Sequence, residues 1–535
     1  MDDSLLNFGV SAPSSLNQTP PAITEQSIRT RLASAELNFI ELEAQIASAQ
    51  RVLNTLNRQR KDDIRELRIL RAAVAPHNKL PPEILSEIFE HYVDEPIVIC
   101  SKQPQTVVSP FTLAHVSSKW RHIAFSTPSL WNRILIDCGD WTNMDTLTDI
   151  AHNYLQFSGS MPITLQTTGS FSQPRNHGLL DRSNLILDLI LPFGTQIQHL
   201  TLSFPAVWMQ NALDSYIAGF NWDFLESVEL TYTASQYRDI HFSRVMRIFG
   251  NAPRLNKFSV TMGPEWPRVG TRDIFDLPWS QLTELHFTHL IIPITLIPVI
   301  LRECTRLVKC TLSVAKEFVD AVAPFVPLSD LVMPTVRSLT LYNPMNFDCD
   351  KYLERISFPN LERLVVKIGG EGRNGRKWSQ SQFSAIIARF GCSLKSLSTT
   401  ADIDHADIES VLGDVPSLRE LNVQHGQSIS SSTLRLLCNG LIAPNLEVLK
   451  CIVDADLLPD FLDMLDCRYI PPKYRSSYTG IRSVVIHCET RTQGYRDVAE
   501  RLEEFCTSGR DIVVKDQWDV SSDSFLDTEY HPFAF

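Results

Sequence analysis

At 535 residues the chain has room for roughly two to four folded units, and its 44% hydrophobic content suits sizeable globular cores. With 49 Lys and Arg against 61 Asp and Glu the net charge is −12, so a general affinity for phosphate backbones is disfavoured and no nucleic-acid partner is expected. The acidic start Met1-Asp2-Asp3-Ser4 lacks the features of a secretory signal, and the most apolar run, Leu290 to Leu301, spans 12 residues with two prolines, well short of the roughly 20 that cross a bilayer.

That run reads instead as a buried strand and turn, and no membrane span is expected. Eleven cysteines, an odd number without a C-x-x-C pair, argue against a zinc ribbon or a thioredoxin-like site. Free thiols of this kind suit a reducing compartment, cytoplasmic or nuclear.

In chain order, residues 1–22 are rich in Ser, Pro, Asn and Gln and are expected to stay disordered. A long helix is predicted over 23–75, with Thr24 as its cap and no Gly or Pro from 24 to 74. Its apolar positions step by three and four through Leu32, Ala35, Phe39, Leu42, Ile46, Ala49, Leu53 and Leu56, pause at Arg60 and Asp63, and resume at Leu67, Leu70 and Val74. Such a stripe fits a coiled-coil seam, giving a helix-mediated homo-oligomer, and equally one amphipathic helix lying along its own protein. The basic residues near its end alternate with Asp62, Asp63 and Glu66, as a solvated face does.

Pro76 ends the helix, and Leu80-Pro81-Pro82-Glu83-Ile84-Leu85-Ser86-Glu87-Ile88-Phe89 starts a second one with Ile84, Leu85, Ile88, Phe89 and Tyr92 on an apolar stripe. A stretch from Asp94 to Pro110 follows, then a helix presenting Leu113, Val116, Trp120, Ile123 and Ala124, closed by Thr127-Pro128 and Ser129-Leu130-Trp131. In order and spacing these fragments, over residues 77–135, resemble an F-box, and the layout of helix, F-box and repeats resembles F-box proteins of the type expanded in mushroom-forming fungi. The sequence departs from compact F-boxes in the length of the Asp94–Pro110 link.

From about residue 150 to 515 a loose L-x-x-L-x-L pattern recurs, clearest at Leu282/Leu285/Phe287, Val336/Leu339/Leu341, Leu361/Leu364/Val366, Leu418/Leu421/Val423 and Leu446/Leu449/Cys451. Other copies begin at Ile197, Leu225, Leu255, Leu307, Leu394 and Ile481, and Ile163-Thr164-Leu165 reads as a strand before them. Successive copies are 28, 30, 27, 25, 29, 25, 33, 24, 28 and 35 residues apart, centred on the about 20–29-residue period of leucine-rich repeats. Each copy is expected to form a short strand with inward apolar residues, stacked on its neighbours in a solenoid. Gln380–Phe390 and Ser432–Leu441 read as return helices, and several copies follow a Pro or Asn turn, as in Pro359-Asn360-Leu361. The predicted class is therefore α/β: a long N-terminal helix, a small all-α F-box module, and a leucine-rich-repeat solenoid of short parallel strands and helices. The tail 516–535 mixes acidic and aromatic residues and fits either a cap on the last repeat or a loose end.

No catalytic pattern stands out. Gly369 to Lys377 lacks the Ser or Thr of a P-loop after its lysine, the histidines form no H-E-x-x-H pair, and Asp402, Asp404, His405 and Asp407 lack calcium-loop order. No cofactor or metal is expected, and the chain is read as non-enzymatic. The resemblance implies a substrate receptor of a Skp–cullin–F-box ubiquitin ligase, docking on a Skp-type adaptor through the F-box and holding a target protein, unidentified by the sequence, through the repeats. Matching the motif assigns Leu80, Pro81, Ile84, Leu85, Ile88 and Trp131 to adaptor contact, with Val116 and Trp120 at the seam or in the module's core. A scaffold that uses the helix and repeats without ubiquitin is the alternative, favoured if the Asp94–Pro110 link blocks docking.

Overall fold

A computed structural model of the chain describes residues 22–100, 109–138, 144–169, 184–205, 221–233, 248–262, 275–293, 296–315, 330–343, 355–368, 380–400, 405–423, 429–468, 479–488, 493–507 and 511–516. The tail before Ala22, the glycine-rich stretch, Asp402 and Asp404, and the tail after Asp516 lie outside the described residues. The chain divides into two compact units between Leu85 and Ser86.

The first unit holds α1 (Ala22–Val74), a single uninterrupted helix of 53 residues, followed by a turn of 3-10 helix at Pro76–Lys79 and the first residues of α2 (Pro82–Tyr92). α1 stops before Pro76, whose ring removes a backbone donor and clashes with the preceding turn. Its apolar stripe is exposed along the whole length.

The second unit is built on a parallel sheet of fifteen described strands, each hydrogen-bonded to the next in chain order. It begins with β1 (Ile97–Ile99), β2 (Arg133–Asp137), β3 (Ile163–Thr168) and β4 (Ile197–Pro205). It continues through β5 (Ser227–Thr233), β6 (Lys257–Met262), β7 (Glu284–Pro293) and β8 (Lys309–Ala315). A small two-stranded pair, β9 (Leu331–Val332) and β11 (Ile356–Ser357), lies in the segments that precede β10 (Ser338–Asn343) and β12 (Arg363–Ile368). The sheet ends with β13 (Ser396–Thr399), β14 (Glu420–Val423), β15 (Val448–Ile452), β16 (Ser483–Cys488) and β17 (Asp511–Asp516).

Register explains the repeat. The fourth residue of each motif copy pairs with the fourth residue of the next: Leu200 with Val228, Val228 with Phe258, Phe258 with Leu285, and so on to Leu449 with Val484. The first residue of every copy from Ile197 to Ile481 is buried, as are the fourth and sixth, and all are apolar except Thr399, so the inward side chains of each turn stack on those of the neighbouring turn. Full burial of such a side chain stabilises by about 1.5–3 kcal/mol over leaving it in water, and a turn gains this only with neighbours on both sides. Cysteines serve the same purpose: Cys310 and Cys451 occupy inward positions, and burial pushes both thiols far above their ordinary pKa.

Between turns, the Asn360 amide donates to the Pro334 carbonyl at 2.8 Å and the Asn445 amide to Pro416 at 2.9 Å, one repeat back in each case. The turn-forming Asn of those copies therefore satisfies a carbonyl that the sheet leaves unpaired. Return helices follow several strands. Gln380–Phe390 buries Phe383, Ile386, Ile387 and Phe390, and Ser431–Cys438 is capped by a reciprocal Ser430–Thr433 box. The apolar Leu290–Leu301 run differs from expectation: it completes β7 and then forms a helix at Ile297–Glu303, because Pro298 suits a helix's first turn. Among the described residues no helix is long and apolar enough to cross a membrane.

The sheet also starts earlier than the repeat pattern suggests. Ile134 pairs with Leu165, and Leu165 with Leu200, so Trp131, Ile134 and Ile136 hold the first, fourth and sixth places of a repeat turn. β1, inside the Asp94–Pro110 link, pairs with β2 as Ile97 with Ile134 and Ile99 with Ile136. Ile97–Ile99 of the link thus form the outermost described strand of the sheet, beside β2.

Candidate functional site: the helical module and the polar sheet face

The helical module is built from α2, α3 (Pro110–Ala114) and α4 (Ser118–Phe125). Caps hold the two short helices: Ser109 accepts from the Phe111 N–H at 3.3 Å and Ser117 from the Trp120 N–H at 3.1 Å. The Arg121 guanidinium donates to the Ala114 carbonyl at 3.0 Å, tying α4 to the C-terminal end of α3, where a cation is favoured. Thr127 donates to the Ile123 carbonyl at 2.8 Å and meets the Ser86 hydroxyl of α2 at 3.0 Å.

α2 carries two apolar stripes rather than one. Leu85, Phe89 and Val93 are buried, and Phe89 meets the Trp120 ring at 4.9 Å. Ile84, Ile88 and Tyr92, spaced by four on the same helix, are 43%, 44% and 51% exposed. Pro81 and Val116 are also exposed, while Leu80 and Trp120 are half-buried.

Leu85 and Trp131 stand apart from the other assigned residues, being 1% and 0% exposed. Trp131 stacks on Phe125 at 5.2 Å with 8° between the planes, and its indole N–H donates to the Ala124 carbonyl at 2.8 Å. Phe111 from α3, with Tyr154 and Phe157 from α5 (Met144–Gln156) and the residue after it, surround the same ring. Trp131 therefore offers no surface; it fastens the module to the first repeat turn. Tyr92, absent from the sequence-assigned set, joins the exposed stripe, and its position eight residues after Ile84 is the signal that would have found it.

The second candidate surface is the sheet face opposite the core, formed by the third and fifth residues of each copy. Many of these are short hydroxyls and ionisable groups that pair across strands, joined by Asn422, Val365, Val448 and Val485. His199 Nδ1 lies 2.8 Å from the Ser227 hydroxyl, and His286 Nδ1 lies 2.8 Å from that of Thr311. Glu284 sits 3.2 Å from Lys309 Nζ and 3.7 Å from His286 Nε2, and its carboxyl is held down to about 2, first by the His286 ring and then by Lys309. Glu229 is shifted the other way, because burial there disfavours the charged form.

A break in register between His286 and Ile291 marks a bulge in β7. The bulge places His289 at φ 57°, in the left-handed region, with its backbone N–H donating to the Ser313 hydroxyl at 2.7 Å. The exposed His289 ring lies 5.2 Å from Tyr342, whose hydroxyl accepts from Lys367 Nζ at 3.0 Å. Bulges re-aim side chains in this way at binding surfaces. Among the described residues no group of three metal-ligating side chains comes together.

With this geometry in view, comparison with known proteins gives one family match: the F-box-like family, over residues 77–137. No curated protein matches the chain. Among solved structures, the chain is similar to a protein of Bacteroides fragilis whose crystal structure was determined by a structural genomics consortium, at 12% identity and a TM-score of 0.26. That match covers 49% of this chain and 66% of the other. The chain thus carries an F-box-like domain, the adaptor-binding module of F-box proteins, followed by a long parallel-strand sheet with helices, consistent with a repeat solenoid.

Proposed function

We propose that the chain is the non-catalytic substrate receptor of a Skp–cullin–F-box ubiquitin ligase, with the sheet as a leucine-rich-repeat target-binding domain. The observation that carries this reading is the F-box-like match over a helical module whose first helix keeps Ile84, Ile88 and Tyr92 exposed while Leu85 and Phe89 fill its interior. Apolar anchors presented on a rigid helix are what a groove on a partner recognises. Pro81 and Val116 extend the exposed set, and Leu85, Trp120 and Trp131 act by holding it in shape. The target, an unidentified protein, is received by the polar face and the His289–Tyr342–Lys367 cluster. Such a receptor contributes local concentration and orientation and leaves bond chemistry to its partners.

The test is co-purification of the full chain with a Skp-type adaptor, comparing wild type with Ile84→Asp/Ile88→Asp. A fragment cut near residue 140 is unsuitable, because it would strip Tyr154 and Phe157 from Trp131. The reading expects a complex with wild type that the double variant loses while remaining folded. No complex with folded wild type would move the chain to the scaffold class.

A further inference from the structure

From Leu32 to Val74 the stripe on α1 runs through thirteen positions, eleven of them apolar, and the nine larger than alanine are 49–71% exposed. In heptad terms Leu32, Phe39, Ile46, Leu53, Leu67 and Val74 fall at a, with Leu42, Leu56 and Leu70 among the d positions. We propose that this seam is covered by α1 of a second copy, as a parallel, in-register coiled-coil dimer.

The polar interruption selects that occupant. Arg60 at a and Asp63 at d are adjacent layers of the seam. In a parallel, in-register pair each layer faces its own copy, and the hole that receives Arg60 is walled in part by the second copy's Asp63. Two like-charged layers thereby become two cross-pairs of opposite charge. An antiparallel pair opposes Arg60 to Asp63 only when centred between residues 61 and 62. Only residues 49–74 would then overlap, leaving Leu32 to Ile46 in water. An unrelated apolar helix would leave both charges against carbon, at a desolvation cost that nothing offsets.

The flanking charges agree. In the parallel arrangement each g residue meets the e residue five positions on in the other helix. Arg31 then meets Glu36 near one end of the seam, and Glu66 meets Arg71 near the other. The pairs between them, Asn38 with Glu43, Gln45 with Gln50, Val52 with Asn57 and Gln59 with Ile64, contain no like charges. Two alanine layers and the charged step weaken the seam, so the dimer should dissociate on dilution. The pairing is independent of adaptor docking, since it uses α1 alone.

Sedimentation of the full chain over a range of micromolar concentrations tests it. The expected result is a species of twice 60.6 kDa that dilution converts to monomer. Ile46→Asp/Leu53→Asp should be monomeric throughout, whereas Leu37→Asp/Ile40→Asp, which removes exposed apolar residues outside the seam, should still dimerise. A monomeric wild type, a dimer that survives the seam variant, or equal loss in both variants would overturn the proposal. For orientation, Leu32→Cys should give a 32-to-32 cross-link on oxidation, mapped by mass spectrometry. A sedimenting dimer without that cross-link would rule out the parallel register. Glu66→Arg should weaken dimerisation several-fold, and Glu66→Arg/Arg71→Glu should restore it; an unchanged dimer in Glu66→Arg would count against the assigned pairing.

Discussion

Trp131 lies where the F-box-like match and the first repeat turn overlap, and substituting it separates a structural role from a docking role. The side chain is fully buried and packs against Phe111, Phe125, Tyr154 and Phe157 at centroid distances of 5.2, 5.2, 5.9 and 5.0 Å. Trp131→Ala should cost about 3–5 kcal/mol, as for other large-to-small changes at buried aromatic residues. Trp131→Phe keeps a ring in the stack but gives up the bond to Ala124 and some volume, for about 1–2 kcal/mol. Stacked repeats need not unfold in one step, so the effect is best read locally, by hydrogen exchange across residues 110–168. Since each 1.4 kcal/mol is about tenfold, Trp131→Ala should speed exchange there by about a hundredfold or more. Adaptor binding by Trp131→Phe should be nearly unchanged. Unaltered exchange combined with lost adaptor binding would show that Trp131 is a contact residue, and the weld between module and repeats would fall with it.

The Ile84→Asp/Ile88→Asp variant should leave thermal unfolding close to wild type, since both side chains are already in water; a large drop in Tm would place them in a core instead. Arg468 is fully buried and donates to the carbonyls of Leu437, Ala443 and Leu446 at 3.1, 3.1 and 3.4 Å, so Arg468→Met should cost about 3 kcal/mol or more. The loss should appear as faster exchange in residues 431–468, and unchanged protection there would refute it. Glu284 is depressed from 4.5 to about 2, so its contribution is complete above about pH 4.5 and is lost as pH falls through about 2. The stability difference between wild type and Glu284→Gln should therefore be flat at neutral pH and shrink across that acid window; a difference independent of pH would contradict the assigned pairing with His286 and Lys309.

Much of this architecture was legible because burial in a stacked sheet is periodic. The spacing between motif copies from Ile197 to Ile481 is the spacing between paired residues in the sheet, and the stripe from Phe383 to Phe390 is a return helix. Three things were not legible, each for a physical reason. The first repeat turn was hidden because its leading residue is a tryptophan that also completes the F-box pattern. The turn at β3 was obscured because, with Leu165 as its fourth residue, its first and sixth places are Pro162 and the buried Thr167 rather than large apolar residues. β1 follows Asp94, Glu95 and Pro96, and three apolar residues after a polar turn carry no period. On α2 the sequence shows five apolar residues but not which two neighbouring stripes they form, because Ile84 and Leu85 differ by only about 100° of helix.

The same features bear on how a receptor of this kind would work. A flexible linker between docking module and target surface spreads the target over many positions and dilutes it at the catalytic partner. Here the residues from Ser86 onward share one compact unit with the sheet, and the join consists of the Trp131 cluster on one side and the β1–β2 pairing on the other. The long link that departs from compact F-boxes is therefore a structural part of that join, since its apolar residues Ile97 and Ile99 are buried. A target held on the polar face would sit at a position set by the number of repeat turns rather than by chain entropy. On the proposed receptor reading, substitutions that loosen the join should impair ubiquitin transfer more than they impair either binding step.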